Sequence, residues 1–333
     1  MNEIVENFIR NYAAFAIAAM AWCWSPGVAA YETDQFTSRN ELIADSTDVL
    51  NREVNNALAA IVSQWRQGHD ELAIVDSIYR EIGGLHWVDK LERWAINSDE
   101  VEKLDIPRYD SVFAGLPIWA SRVTYFFGVG KTIRLNDQLI GSDKIGHFLS
   151  QGRKFYKRYL RYGSEERAAE QSAFTERAVF GRLTTGSYSN ADLVANYEGY
   201  RFYRSLFDDS IIPGKRAILS WEDGGWVIQR DFDWADHVNE YWDEALNVNH
   251  FDALLYKHMH GRLIGYCPQY WAEPDRYAIV EEEPLIERYA HLQLYNTSEL
   301  RLDSLCPVQV FLESGESGFA KAGISSPDAQ ASP

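Results

Sequence analysis

Between Gly141 and Gly152 the chain reads GSDKIGHFLSQG, which sets Asp143 and His147 four residues apart beside Lys144. On a helix such a pair shares one face, with Cβ atoms about 6 Å apart. The stretch SNADLVANYEG repeats the spacing with Asp192 and Asn196, and Glu176 and Arg182 lie between the two pairs. If the helices carrying these residues pack together, an imidazole, three carboxylates and an amide converge. Two chemistries fit that set. In the first, His147, Asp143, Glu176 and Asp192 ligate a divalent cation such as Zn²⁺ or Mn²⁺ inside a helical bundle. In the second, His147 is a metal-free general base whose tautomer is fixed by Asp143 or Glu176. In either, Asp192 and Asn196 position a substrate, and Lys144 and Arg182 neutralise a phosphate or carboxylate on it. A plainer reading competes with both: Asp143 answers a helix dipole, Asp192 completes a capping box, and Glu176 pairs with Arg177 or Arg182 at the surface.

The elements that would hold these residues follow from local signals. Ser142 starts a helix that runs to about Tyr162 and is closed by Gly163. Ser164, with Glu165 and Glu166 in the first turn, opens the next, ending near Phe180 and Gly181. Ser189 and Asp192 form a capping box for a third, running to about Phe207. Their short connections predict neighbouring antiparallel helices. Gly146, Gly152 and Gly199 fall inside them, each costing about 1 kcal/mol against Ala, which points to a close backbone or ligand.

Elsewhere, apolar periodicity predicts helices over 38–66, about 69–82 and 85–95, and residues 99–110 read as a loop. The apolar stretch 109–128 is expected to be buried. AILSWEDGGWVIQR predicts a hairpin near residues 216–230, and DWADHVNEYWDEALN a further helix. On that helix Asp233, His237, Glu240 and Glu244 share a spacing that would suit a metal, although neighbouring Trp234, Tyr241 and Trp242 favour a core helix with a solvated polar side. His258 and His260 would diverge. Residues 261–310 lack a clear period. The expectation is a mainly α protein: a helical bundle with a small β-hairpin and an irregular, disulfide-pinned C-terminal region.

Composition narrows the function classes. With 46% hydrophobic and 14% aromatic residues, the 333-residue chain can bury a sizeable core. A formal net charge of −17 argues against nucleic acid or an anionic membrane as the main partner. The run Arg153, Lys154, Lys157, Arg158, Arg161 reads as a solvated helix face. Residues 1–30 resemble a cleaved signal peptide: an apolar core from Tyr12 to Trp24, a Ser25-Pro26-Gly27 break, then Val28-Ala29-Ala30. Without them two cysteines remain, Cys267 and Cys306, and an even pair predicts one disulfide formed in an oxidising compartment. The expected location is the periplasm or the exterior of a Gram-negative cell, with no integral span in the mature chain. A single helical domain over 31–312 precedes a disordered tail, 313–333. No Gly-x-Ser-x-Gly, Cys-x-x-Cys or His-Glu-x-x-His motif is present.

The ordered set Asp143-Lys144-x-x-His147-Phe148, Glu176, Gly181-Arg182, Ser189-x-x-Asp192 and Asn196-x-x-Gly199 resembles the signature of the VanZ-like group and of the small YfiM-type envelope proteins. The likeness covers residues 136–207 and implies a shared polar cluster in a cell-envelope protein. With the His/carboxylate set above, the expected function is an exported envelope protein acting as a hydrolase on an envelope component or small molecule. The alternatives are a non-enzymatic accessory factor whose cluster is a buried hydrogen-bond network, and a carbohydrate-binding module using exposed Trp side chains.

Overall fold

The computed structural model describes residues 32–84, 88–118, 124–125, 128–175, 187–279 and 283–306. The expected signal peptide, the tail, Glu176 and Arg182 lie outside them. The chain is mainly helical, with short strands in small sheets.

Helix α1 (Thr47–Gln64) buries Leu50, Val54 and Leu58 on one stripe. It begins nine residues later than periodicity predicts. Ser38 takes a left-handed φ of 58° rather than capping a helix, and Asp45 forms an isolated bridge with Arg134. Ile43 accordingly joins a separate small cluster with Leu104 and Ile106. Helix α2 (Glu71–Ile82) is capped by Asp70, whose side chain accepts from the Ala73 N–H. Helix α3 (Lys90–Asn97) opens with a capping box between Asp89 and Glu92.

Strands β1 (Lys103–Leu104), β2 (Thr132–Leu135) and β3 (Gln138–Gly141) form an antiparallel sheet that the sequence reading did not anticipate. Its β2–β3 turn, Asn136-Asp137, has φ of 48° and 61°. Positive φ at both central residues is the requirement of a tight hairpin turn that follows strand twist. The hairpin delivers the chain directly into α4 (Asp143–Gly146), a π-helical turn (His147–Gln151) and α5 (Gly152–Tyr162). Gly163 ends this run at φ 61°, as its position predicts. The apolar stretch between β1 and β2 is only partly buried: Val112, Phe113 and Leu116 are enclosed, whereas Tyr109, Ile118 and Tyr125 are exposed.

Helix α6 (Glu165–Thr175) and, after strand β4 (Ser187–Tyr188), helix α7 (Asn190–Ser205) both pack on α5. Almost every side chain of α7 is buried, including Asn190, Asn196, Glu198 and Arg201. A helix enclosed on all sides must pair its own polar groups, and this one does. α7 crosses the π-helical turn at backbone contact. A Cβ on Gly199 would lie 1.9 Å from the Phe148 carbonyl oxygen, and one on Gly152 would lie 2.6 Å from Gly199 Cα.

The EDGG hairpin forms as expected from β5 (Leu219–Glu222) and β6 (Gly225–Ile228). The helix expected over DWADHVNEYWDEALN is absent. Two 3₁₀ turns, Trp234–Asp236 and Glu240–Trp242, stand in its place. Each is started by a side chain, Asp233 to the Ala235 N–H and Asn239 to the Tyr241 N–H, and such local bonds compete with helix propagation. Trp234 and Trp242 are fully buried in the main core.

Strand β7 (His250–Phe251) pairs with β4, and short helices α8 (Ala253–Ile264), α9 (Cys267–Ala272), α10 (Glu283–Tyr289) and α11 (Leu302–Leu305) follow. This region is thus more helical than its weak period indicates. The Cys267–Cys306 disulfide joins α9 to the end of α11 within a second apolar cluster that includes Phe36, Phe113, Met259 and Leu302. Among the described residues no helix is long and apolar enough to cross a membrane.

Candidate functional site

The hairpin, α4 and α7 bring Asp143, Lys144, His147, Asp192 and Asn196 together. Lys144, 1% exposed, is the hub. Its Nζ lies 2.8 Å from Asp143 Oδ2, 2.7 Å from Asp192 Oδ1 and 2.8 Å from Glu244 Oε1. His147 stands at the edge, with Nε2 3.2 Å from Asp192 Oδ2 and Nδ1 3.0 Å from Asn196 Oδ1. Asn196 is fully buried and fixes the imidazole plane from behind. Ser189 Oγ accepts from the Asp192 N–H as the capping pattern requires, while it donates to Glu244 Oε1. The Asp192 carboxylate meanwhile reaches both the lysine and the histidine. One residue therefore serves cap and cluster.

This geometry places the expected residues as follows. Asp143, His147, Asp192, Asn196 and Lys144 meet. Lys144, assigned on spacing to a substrate anion, is instead enclosed by three carboxylates of the protein itself. Glu244 and Glu32 were not foreseen in this role. Glu244, read as part of a helix, reaches Lys144 from beyond the second 3₁₀ turn and is 5% exposed. Glu32 is half-buried as a residue, but its carboxyl faces Glu244, Asp192, Lys144 and Asp143.

Negative charge exceeds positive charge here, and the protonation equilibria reflect it. Burial, then the Glu244 and Asp192 charges, push Glu32 up to about 8. Burial also raises Asp143 and Glu244, against the pull of Lys144. For Asp192 burial works the same way, but His147 and Lys144 outweigh it and hold the group below its ordinary value. Burial disfavours the Lys144 ammonium, yet its three carboxylates keep its pKa well above normal. Asp143 Oδ1 is buried without a hydrogen-bond partner among the described residues. Asp143, His147 and Asp192 form a group in which one potential ligand atom from each lies within 4.8 Å of the others.

Behind α4 lies a second set of acids. Ser150, on the π-helical turn, donates to Asp89 Oδ2 at 2.7 Å, and Glu92 Oε2 would lie 2.6 Å from a Cβ on Gly146. A side chain at position 146 would therefore have to displace the buried Glu92 carboxylate. Burial raises Asp89 to about 7, and burial followed by Asp143 and Asp89 raises Glu92 well above its usual range.

A separate cluster on the far part of α7 is fully satisfied. Glu198 accepts from Arg201 Nη1 at 2.9 Å and from Tyr289 OH at 2.8 Å, and its Oε2 lies 3.2 Å from His237 Nδ1. His237 thus belongs here and not with Glu244, so Asp233, His237, Glu240 and Glu244 do not form one metal face. Burial alone would raise Glu198, but Arg201, His237 and Arg288 prevail and lower it to about 2. A depressed carboxyl contributes stability that is present above its unfolded pKa and lost as pH falls through the folded one. Replacing Glu198 with Gln is expected to lower stability at pH 7 and to flatten the acid limb between about pH 4.5 and 2. Denaturant titrations across that range test this; parallel acid limbs in both proteins would contradict it.

No family model, curated protein or solved structure matches the chain. The class that its own features define is a mainly helical, disulfide-bonded protein with a His/carboxylate group arranged as a possible cation site.

Proposed function

We propose that this is an exported cell-envelope hydrolase whose centre is a divalent cation held by Asp143, His147 and Asp192. The observation that carries the reading is the grouping of one ligand atom each from Asp143, His147 and Asp192 within 4.8 Å of one another, beside an Asp143 Oδ1 that is buried without a hydrogen-bond partner among the described residues. Mixed carboxylate and imidazole donors suit Zn²⁺ or Mn²⁺. Bound there, the ion would acidify a water and polarise an ester or amide oxygen. Asn196 holds the His147 tautomer that presents Nε2, Lys144 orients Asp143, Asp192 and Glu244, and His147 and Asp192, with side chains 13% and 16% exposed, are the members nearest solvent. The disulfide supports an oxidising compartment, for which periplasm or exterior is our reading. The sequence likeness to VanZ-like and YfiM-type proteins favours the envelope as the setting.

A second reading has its own support. The full enclosure of Lys144 is also what a non-catalytic charge network joining α4, α7 and the 3₁₀ segment requires. The two separate on His147→Ala. Purified protein, with and without Zn²⁺ or Mn²⁺, would be assayed on chromogenic ester, phosphoester and peptide substrates, with thermal melts in parallel. The hydrolase reading expects cation-dependent turnover that disappears in the variant while its melting temperature stays near wild type. Absent turnover with a lowered melting temperature would leave the network.

A further inference from the structure

The basic run on α5 was expected to be a solvated face, yet its first residue is held rigidly. Arg153 Nε and Nη2 both donate to Asp76 Oδ1 on α2, at 2.9 and 2.6 Å, and its guanidinium lies 4.5 Å from the Tyr79 ring centroid. Lys157, one turn on, meets the same Asp76 at 3.0 Å. Arg153, Asp76 and Tyr79, with Ala73 and Arg80, line a cavity of about 330 Å³. Arg80 is fixed on its rim by bonds to Asp76 O and Ser77 Oγ. Arg153 and Lys157 thus share one carboxylate, with Arg80 beside them, in a chain whose net charge is −17.

We propose that this cavity binds a phosphoryl group, with Arg153 as its principal donor. Arg153 Nη1 has no protein partner among the described residues. A guanidinium already ordered by a carboxylate and a ring loses little freedom on binding, and its planar fork matches phosphoryl oxygens. Arg80 and Arg153 against Asp76 leave the lining one positive charge in surplus, and Lys157 beside Asp76 adds another close by, which suits a phosphomonoester anion. On a strongly acidic protein, such a pocket attracts an anion that most of the surface repels. Tyr79 of the lining also reaches the candidate centre's own segment, with its OH 3.1 Å from Ser150 Oγ on the π-helical turn. The assignment does not depend on a cation at Asp143, His147 and Asp192.

Calorimetric titration of the full chain with inorganic phosphate and phenyl phosphate at low ionic strength tests it. One saturable site is expected, weakened at least tenfold in Arg153→Ala and partly retained in Arg153→Lys, which keeps charge without the fork. His147→Ala should bind as wild type, so failure of the hydrolase reading leaves this result standing. Co-sedimentation with vesicles of phosphatidic acid in phosphatidylcholine, against phosphatidylcholine alone, assigns the source: selective sedimentation that Arg153→Lys weakens marks a lipid headgroup, and phosphate binding without it marks a soluble ligand. No saturable phosphate binding and no selective sedimentation would overturn the proposal. So would equal affinity in wild type and in a natively melting Arg153→Lys or Arg153→Ala protein.

Discussion

Lys144→Met is expected to destabilise the protein by about 3–5 kcal/mol at neutral pH, the usual cost of removing one partner from a buried ionic group. Methionine fills similar volume, so the loss is mainly electrostatic. It leaves the Asp143, Asp192 and Glu244 carboxylates facing one another without the ammonium that lies within 2.8 Å of each. The defect should shrink on acidification. Asp143 and Glu244 are already raised by burial; without the lysine they rise further, and protonation then removes the repulsion. Raised carboxyls bind protons more tightly in the folded state, so they favour folding as pH falls. Thermal or urea unfolding at pH 7.5 and pH 5 measures this. A variant as stable as wild type at pH 7.5 would mean that Lys144 is not the counter-ion of the cluster.

Gly199→Val is expected to cost about 4 kcal/mol or more, or to prevent folding, because the clash is with backbone. The new Cβ would meet the Phe148 carbonyl oxygen at 1.9 Å and its carbon at 2.7 Å. Relief requires α7 to move off the π-helical turn, which also separates Asn196 from His147. Gly225→Ala is the control, since nothing lies within 4 Å of a Cβ there; it should melt within a few degrees of wild type. Equal melting of all three proteins would refute the close crossing.

The crossing was legible in outline. Gly146, Gly152 and Gly199 stand in helices that would favour alanine, and each turns out to face an atom a methyl group would strike. The Asp143/His147 and Asp192/Asn196 pairs could be read because a capping residue and a terminating glycine fixed helical periodicity around them. The π-helical turn could not, as it answers to the packing of Phe148 against α7. Glu244 was missed because residues 233–244 carry helical spacing, while Asp233 and Asn239 wind the chain into 3₁₀ turns instead. Those two side chains, each placed to accept from the N–H two residues on, were the available signal. Asn136-Asp137 likewise marked the β2–β3 hairpin, a turn pattern overlooked between alternating apolar residues. Glu32 had no local signature at all; only the folded chain brings it to Lys144.

Stoichiometry of bound cation is the most direct test of the proposed centre. Protein stripped with chelator, dialysed against Zn²⁺ or Mn²⁺ and then analysed for elements should retain one ion per chain, and His147→Ala should retain none while Arg153→Ala retains one. Absence of bound metal from the wild-type protein, or retention undiminished in His147→Ala, would contradict a cation held by Asp143, His147 and Asp192.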